Sequence, residues 1–447
     1  MKLLFLLSIS MIAFSLSGQQ KLSLEECRRL AVQNNKELQI AGERVKTSSS
    51  EKKAAFTKYF PQLSATGTYL WNEKDINLVD YTHLGDISAL IPPQVKEATR
   101  LDIENVWVAG VSLVQPVFMG GKIVSYNQIA KYAEELAESM NNLKLQEVIY
   151  KTDETYWQVI SLVNKKKLAD SYVTLLQKMD SDVTEMINEG VATKADGLSV
   201  KVRLNEAEMA QTKVDNGLAL SRMLLAQLCG LPMHEQLALN DETLVDLPMN
   251  DAFQEGNVNE AFLNRLELKS LDLATRIYKK KEAIVMADML PNVALMANYL
   301  VTNPNSFNGF KNEFGGMFNV GVALKVPLSG WWEGTHKRNA ARAETTIKRL
   351  ELENAREKIE LEVNQSIYKL NEANKKLTAS MRNKERADEN LRHADLGFNE
   401  GVIPTLNLME AQTAWMSAGS DLIDAQIEVK LTKVYLMKSM GKLNVEK

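Results

Sequence analysis

Cysteine and histidine, the residue types that most often carry chemistry, are few in this chain and widely spaced. Cys27 and Cys229 lie about 200 residues apart with no CxxC pair, so they indicate neither a redox motif nor a disulfide framework. We expect both to be small, buried, apolar side chains. The 4 histidines show no ligand spacing such as HExxH, and no nucleophile stands at motif spacing from a base. The sequence therefore predicts no enzyme, no cofactor and no metal site.

Binding of phosphate or nucleic acid is equally disfavoured. The segment QPVFMGGK, which ends at Lys122, lacks the first glycine and the Ser/Thr of a P-loop. We therefore expect Gly120 and Gly121 to join a strand to a helix. Across 447 residues, 53 Lys and Arg stand against 57 Asp and Glu, a net charge of −4. This balance offers no basic surface for a phosphate backbone, so nucleic acid is not an expected partner.

The N-terminus is typical of an exported protein. Met1-Lys2 precedes the apolar run LLFLLSISMIAF, and the small residues of SLSG follow. This pattern predicts a signal peptide over residues 1–18, since a spanning helix needs roughly 20 apolar residues. No later segment approaches 18 consecutive apolar residues. We therefore expect an exported chain without membrane-spanning helices.

The remaining chain contains two copies of one unit. NEGV begins at Asn188 and begins again at Asn399, 211 positions later. Nearer the N-terminus the matching landmarks are 230 positions apart, as in Pro61 and Pro291. The difference of 19 positions predicts one insertion in the first copy, between Pro61 and Pro116. Such duplication indicates a repeated supersecondary unit.

Each copy contains a long stretch without glycine or proline, residues 122–189 in the first copy and 335–396 in the second. Apolar residues follow one another there at spacings of three and four, which indicates helices with a coiled-coil-like seam. A helix over residues 122–189 would be roughly 100 Å long at ~1.5 Å per residue. The sequence therefore predicts long helical hairpins over residues 121–230 and 333–441.

Between each proline landmark and the next helix, the apolar period changes from 3.6 to 2. Leu63, Ala65, Gly67, Tyr69 and Trp71 share one face of a first strand. The pattern recurs three times and predicts β-hairpins over residues 62–117 and 292–327, with strands of about ten residues, the length of a tilted membrane strand. The insertion then falls in the first hairpin loop.

Four such strands are too few to close a membrane barrel, whose smallest known forms have about eight strands. Open sheet edges are not tolerated in lipid, so several chains must pool their strands, and three chains would give twelve. Trp71, Trp107, Trp331 and Trp332 lie in or beside the strands, as interfacial tryptophans do. A soluble sheet covered by its own helices remains the alternative at this point.

Taken together, these segments resemble the TolC-like outer-membrane efflux proteins over essentially the whole mature chain. The resemblance is carried by LSLEECRRLAVQNNKEL, FPQLSATG, QPVFMGGK and two helical turns, NEGVATKADGLSVKVRLNEAE and NEGVIPTLNLMEAQ. It implies an α+β membrane protein with a long α-helical coiled-coil tunnel of two-fold internal repeat. The four strands of each chain would contribute to a trimeric 12-stranded transmembrane β-barrel.

The resemblance also implies a function and partners. The protein would be a homotrimer in outer-membrane lipid, extending into the periplasm. It would conduct substrates passively from a periplasmic adaptor protein and, indirectly, from an inner-membrane pump to the exterior, without chemistry on the substrate. A periplasmic coiled-coil structural or adaptor protein without a barrel is the alternative function.

Two sets of site residues follow from the resemblance. In the family, the turns between the long helices close the tunnel and meet the adaptor. This assigns adaptor contact to Gly190, Val191, Gly401 and Val402. The family's gate carries acidic rings on the helix after the second turn, where this chain has Asn407 and Glu410. Asn407 has lost the charge, and Asp196 occupies the matching position of the first copy, so the predicted periplasmic gate is Asp196, Asn407 and Glu410. Asp196 also completes a Thr-x-x-Asp capping box with Thr193.

The domain organisation expected from these patterns has four parts. They are a signal peptide over residues 1–18, a first structural repeat over 19–230, a linker over 231–257 and a second structural repeat over 258–447.

Overall fold

Four long helices take up almost half of the chain in the computed structural model, which describes residues 21–234, 237–243, 257–328 and 330–443. The longest have 67 and 70 residues and span the two glycine- and proline-poor stretches. Each is followed, after a short turn, by a return helix. The four are α4 (Lys122–Asn188), α5 (Lys194–Cys229), α8 (Gly330–Asn399) and α9 (Thr405–Ser439).

The shorter helices repeat as a pair in each half of the chain. In the first pair the break is at Asn35, whose side-chain Oδ1 accepts the Glu37 backbone N–H at 2.9 Å. In the second pair the break is at Arg265, 230 positions later, again with extended backbone. These helices are α1 (Leu24–Asn34), α2 (Lys36–Phe56), α6 (Val258–Asn264) and α7 (Leu266–Ala287), with a 3-10 turn at Thr57–Tyr59.

A four-stranded antiparallel sheet forms from the two segments with alternating apolar residues. Its strands are β1 (Gln62–Trp71), β4 (Asn105–Phe118), β5 (Asn292–Asn303) and β6 (Gly315–Lys325), in the order β1-β4-β5-β6. The central pair, β4 and β5, comes from different copies of the repeat. Each copy therefore supplies one edge strand and one inner strand.

The first hairpin loop, expected as an insertion, has secondary structure of its own. Strands β2 (Ile76–Asn77) and β3 (Arg100–Leu101) pair within it, and α3 (Pro93–Ala98) and a 3-10 segment (Tyr81–Leu90) lie between them. The guanidinium of Arg100 donates to Asp75 Oδ2, and Asp75 Oδ1 accepts the Ile103 backbone N–H at 3.1 Å. Proline at the start of α3 fixes φ for a first helical turn.

The contacts divide the chain into two units. The helical unit comprises the chain up to Val45, Ala137–Ser270 and the chain from Glu351. The sheet unit comprises Lys46–Leu136 and Leu271–Leu350. The predicted signal peptide and residues 244–256 of the predicted linker lie outside the described residues.

Two apolar clusters form the main core of the helical unit. The first surrounds Tyr156 and Ile160 of α4 and includes Leu225 of α5, all fully buried. The second packs Leu176, Met179 and Val183 of α4 against Val200 and Ala207 of α5 and Leu408 of α9. The intervals of three and four residues in α4 confirm the predicted seam.

Candidate functional site

All four apolar strand faces lie on one face of the sheet. The antiparallel register places Leu63 opposite Leu113, Leu113 opposite Ala297 and Ala297 opposite Val320. The neighbouring row runs through Ala65, Val111, Tyr299 and Phe318. Except for the half-buried Leu113, the large side chains of both rows are exposed in the chain, with Val320 at 67% and Leu63 at 70% of full exposure. The alternation predicted from the sequence therefore produces one continuous, uncovered apolar face, which we call the apolar face.

The opposite face carries a hydrogen-bonded polar row. Ser64, Ser112, Asn298 and Asn319 lie directly opposite one another across the four strands. Ser112 Oγ donates to Asn298 Oδ1 at 2.6 Å, and Asn298 Nδ2 donates to Asn319 Oδ1 at 2.9 Å. Polar side chains of this row hydrogen-bond to one another, whereas the residues before and after each of them in the sequence are apolar. At this row the two faces of the sheet therefore differ in polarity and are suited to different environments.

Aromatic side chains cluster at both ends of the sheet. At the Trp71 end of β1, the rings of Tyr69 and Trp107 lie 4.5 Å apart. At the other end, just before β1, Phe56 contacts Phe60 edge-to-face at 5.5 Å. Trp331 and Trp332 are exposed at the start of α8, and Trp331 Nε1 donates to the carbonyl oxygen of Met289, just before β5. Aromatic rings at both ends of an apolar band are typical of membrane interfaces.

The two turns between long helices have the same backbone geometry. Gly190 and Gly401 adopt φ of +80° and +72°, the left-handed region that favours glycine after a helix. The Val191 N–H donates to the carbonyl oxygen of Met186 at 2.9 Å, and the Val402 N–H donates to that of Gly397 at 2.8 Å. Both turns are therefore Schellman motifs. We call residues 188–193 the first tip and residues 399–404 the second tip.

The tips expose their valines but are fixed to a common core. Val191 is 69% exposed and Val402 is 74% exposed. Ala192 of the first tip and Ile403 of the second pack against the same buried cluster, which includes Val183 and Leu408. The structure thus brings the two predicted adaptor-contact sites to one end of one helical cluster, with an apolar side chain projecting from each.

The return helix α5 begins with the predicted capping box. Thr193 Oγ1 accepts the Asp196 backbone N–H at 3.2 Å, and the Thr193 N–H donates to Asp196 Oδ2 at 3.0 Å. A hydrogen bond from the Thr193 hydroxyl and, to a smaller extent, one from the Thr193 backbone N–H hold the pKa of the Asp196 carboxyl below its usual value. In the second copy, Pro404 is the N-cap residue and provides no side-chain hydrogen bond. Of the two return helices, only α5 therefore begins with a capping box, in which Thr193 is the N-cap residue and Asp196 is its acidic partner.

Lowering the pH should weaken the first turn of α5. A carboxylate whose pKa is lowered by folding stabilises the folded state above the ordinary pKa, and this contribution is lost as the pH falls through the lowered value. We expect amide hydrogen exchange at the start of α5, corrected for intrinsic rates, to accelerate selectively below about pH 4. Asp196→Asn is the control, because it removes the titration and keeps an oxygen acceptor. The same acceleration in Asp196→Asn would rule out Asp196 as its source.

The predicted gate residues of α9 lie on the solvent side of that helix. Asn407 and Glu410 are exposed, while Leu408, Met409 and Ala411 are buried against the helical cluster. The spacing of three residues places Asn407 and Glu410 on one side of α9. The structure therefore leaves a carboxylate on the surface of α9 about one and a half turns after the helix begins at Thr405.

Other contacts near the tips were not predicted from the sequence. Tyr172 of α4 hydrogen-bonds Thr413 of α9 at 3.3 Å between the hydroxyl oxygens, and Trp415 Nε1 of α9 donates to Asp388 Oδ1 of α8 at 2.7 Å. The partners in the first pair are 241 positions apart and carry no motif. Only the packing of the helices could have identified them.

Within the described residues, no group of three or more His, Cys, Asp or Glu side chains could hold a metal ion. No helix in the described part of the chain is long and apolar enough to cross a membrane.

Comparison with known proteins places this geometry in context. The model of a family described as Outer membrane efflux protein matches residues 28–231 and 257–442. Outer membrane protein TolC of Vibrio cholerae serotype O1 is 20% identical over 339 residues, which cover 75% of this chain and 77% of that protein.

Solved structures show the same architecture. The outer-membrane channel OprN is 17% identical, with a TM-score of 0.78 over 94% of this chain and 89% of that chain. The Campylobacter jejuni CmeC outer membrane channel is 13% identical, with a TM-score of 0.77 over 95% of this chain and 87% of that chain. At these identities the likeness shows a shared fold. The predicted fold class, long helices combined with four antiparallel strands, is confirmed.

Proposed function

We propose that this chain, which belongs to the outer membrane efflux protein family, is the outer-membrane channel of a tripartite efflux or secretion system. Three copies would pool their sheets into one twelve-stranded barrel, continued by their long helices as a periplasmic tunnel. The channel would conduct substrates passively, delivered by a periplasmic adaptor and an inner-membrane pump. The observation that carries this proposal is the apolar face of the sheet.

The apolar face supports a lipid-facing role because the protein's own helices leave it uncovered. Phe318, Val322 and Leu324 on β6 are each about two-thirds exposed, at 66%, 65% and 66%. A water-soluble sheet would bury such a face against a second layer. Lipid tails would cover the apolar face and keep it from water, while the polar row around Asn298 would face the water-filled lumen.

The dimensions of the sheet match a bilayer. Strands β1, β5 and β6 have 10, 12 and 11 residues. Ten residues extend roughly 33 Å at ~3.3 Å per residue, and a tilt of about 40° reduces their height to about 25 Å, the apolar thickness of a membrane barrel. The aromatic clusters around Tyr69 and Trp107 and around Phe60 and Trp331 would then lie at the two interfaces.

The sheet edges support assembly from several chains. Within the described sheet, β1 and β6 each pair on one side only. Three antiparallel pairings separate them, so β1 and β6 run in opposite directions, and β6 of one chain can pair with β1 of the next without breaking the antiparallel order. Unpaired backbone groups are not tolerated in lipid, so closure by neighbouring chains would satisfy both edges.

The tips are the proposed contacts with the adaptor. Gly190 and Gly401 set two Schellman turns of equal geometry, which present Val191 and Val402 to solvent. Exposed valines on rigid turns provide apolar contact area at little cost in side-chain entropy, because a β-branched side chain has few rotamers. The internal repeat would let one kind of adaptor surface recognise both tips.

Asp196, Asn407 and Glu410 are the proposed gate. Glu410 is exposed on α9 close to the second tip. Three copies that converge on a common axis would place three carboxylates in one another's field, and such a ring attracts cations. Asn407 would contribute polar but uncharged groups. Asp196 would act through the first tip, whose turn into α5 it stabilises by capping.

Replacing Glu410 by Gln should weaken block of the channel by divalent cations. The substitution keeps size and polarity and removes three charges per trimer, so we expect the Mg²⁺ concentration that halves the single-channel current in planar bilayers to rise severalfold. Asp421→Asn is the matched control, since Asp421 is exposed on the same helix about three turns farther from the tip. Equal effects of the two substitutions would refute the gate assignment of Glu410.

Electrophoresis of the envelope protein tests the assembly. The full chain, extracted in mild detergent, should run as a trimer in SDS without heating and as a monomer after boiling, because strand pairing between chains resists SDS. It should sediment with the outer membrane. A detergent-free monomer in the periplasmic fraction would refute the channel and favour a periplasmic coiled-coil protein.

A further inference from the structure

The only two cysteines of the chain meet in the core of the helical unit. Cys27 lies in the first turn of α1, and Cys229 is the last residue of α5. Both side chains are fully buried, at 0% exposure. The two cysteines of the chain are about 200 residues apart in sequence and yet contact each other. Apolar packing does not require cysteine at these two positions, because any small side chain could provide it.

The two residues are in direct contact. Cys229 Sγ donates to the carbonyl oxygen of Cys27 at 3.6 Å. Asn34 Nδ2 donates to the carbonyl oxygen of Cys229 at 3.1 Å, which fixes the end of α5 against α1. Hydrogen bonding with the Cys229 thiol and, to a smaller extent, burial raise the pKa of the Cys27 thiol well above its usual value. The Cys27 thiolate is therefore disfavoured once the core has closed, whereas the hydrogen bond with Cys27 lowers the pKa of the Cys229 thiol.

We propose that Cys27 and Cys229 form an intramolecular disulfide in the exported protein. The inference rests on the proposed export, because disulfides persist in oxidising compartments and are rare where thiols are kept reduced. The Sγ of Cys229 lies 3.6 Å from the carbonyl oxygen of Cys27, so the fold already brings the two cysteines into contact, as a disulfide requires.

The oxidation is an exchange with a partner disulfide. The two thiols lose two protons and two electrons as the sulfur–sulfur bond forms, and the active-site disulfide of a thiol–disulfide oxidoreductase takes them up and becomes a dithiol. Because thiolates are the reacting species and the closed core suppresses ionisation of Cys27, the exchange takes place before the core closes. Afterwards burial protects the bond from reductants.

The bond would fasten the start of the mature chain to the end of the first repeat. Around it, the Leu22 N–H donates to the carbonyl oxygen of Ala238 at 2.9 Å, and Leu239 is fully buried in the same cluster as both cysteines. A disulfide would hold α1, α5 and this following segment together even when the core opens transiently. It would also constrain a loop of about 200 residues in the unfolded chain.

Thiol counting on the full-length protein tests the proposal directly. The chain is extracted from the cell envelope with thiols trapped by acid, denatured, treated with a maleimide and weighed by mass spectrometry. We expect no maleimide adducts before reduction and two after reduction in denaturant, with the chain monomeric on a boiled non-reducing gel. Native protein treated with a phosphine reductant should retain the bond. Cys27→Ser and Cys229→Ser should each show one adduct without reduction.

Two adducts before reduction, or a disulfide-linked dimer, would overturn the proposal. A second arm does not depend on the compartment: the reduced, unfolded chain is refolded in detergent with oxidised glutathione. The intramolecular bond should form in wild type, and its failure to form there would also overturn the proposal. Trimer formation and sedimentation with the outer membrane are measured without thiol reagents. A negative result for the disulfide proposal can therefore be distinguished from a negative result for the channel proposal.

Discussion

Val320→Arg should prevent stable insertion of the channel into the outer membrane. Val320 lies at the middle of β6 on the apolar face, opposite Ala297, and is 67% exposed in the chain. A cationic side chain on the lipid face near the midplane costs about 2–4 kcal/mol, and a trimer carries three of them. We expect loss of the SDS-resistant trimer from the outer-membrane fraction, measured by unheated electrophoresis and immunoblotting.

Asn319→Arg is the matched control because it lies next to Val320 at the same depth on the opposite face. Its side chain accepts a hydrogen bond from Asn298 within the polar row, so we expect it to face the aqueous lumen. Asn319→Arg should leave the trimer in place and change only the conductance and ion selectivity. If both variants lose the trimer equally, the sheet is buried on both faces and the lipid-facing assignment is wrong.

Val191→Asp combined with Val402→Asp should abolish export while leaving the trimer intact. Both valines project into solvent from rigid turns. A carboxylate in an apolar contact costs about 2 kcal/mol or more per site, equivalent to roughly 30-fold in affinity, and each trimer has six such sites. We expect loss of substrate export from cells, together with loss of adaptor capture by the purified trimer.

The conservative pair Val191→Thr and Val402→Thr controls for shape, since threonine keeps the β-branch and replaces only one methyl group by a hydroxyl group. It should retain most of the export, and both pairs should retain wild-type single-channel conductance. Full export by the aspartate pair would place the adaptor contact elsewhere and remove the tips from the functional surface.

Much of the fold could be predicted from the sequence because it depends on period and repetition. A period of two placed Leu63, Val111, Tyr299 and Val320 on apolar strand faces, and antiparallel register alone then brings those faces to one side of the sheet. Likewise, glycine after a long apolar seam predicted both tips, since only a left-handed residue ends a helix in that way. The family resemblance is confirmed by the family match over both halves of the chain.

Other features depend on tertiary contacts and leave no periodic signal. The structure of the first hairpin loop depends on contacts such as the ion pair of Arg100 with Asp75 and the hydrogen bond between the Tyr81 and Thr99 hydroxyls, together with a Pro-initiated turn. The bond from Trp415 to Asp388 depends on how α8 and α9 pack. The proposed gate role of Glu410 depends on the symmetry axis of an assembly of three chains, which a single chain does not contain. The exposure of Glu410 on α9 supports this role, and a structure of the assembled chains would test it.

The most direct test of the central claim is electron cryomicroscopy of the full-length protein in lipid nanodiscs. We expect a three-fold particle with one closed barrel of twelve strands. In it, β6 of each chain is hydrogen-bonded to β1 of its neighbour, and Val320 faces lipid while Asn319 faces the lumen. A map in which β1 or β6 keeps an unpaired edge, or in which the sheets lie outside the bilayer, would contradict the account.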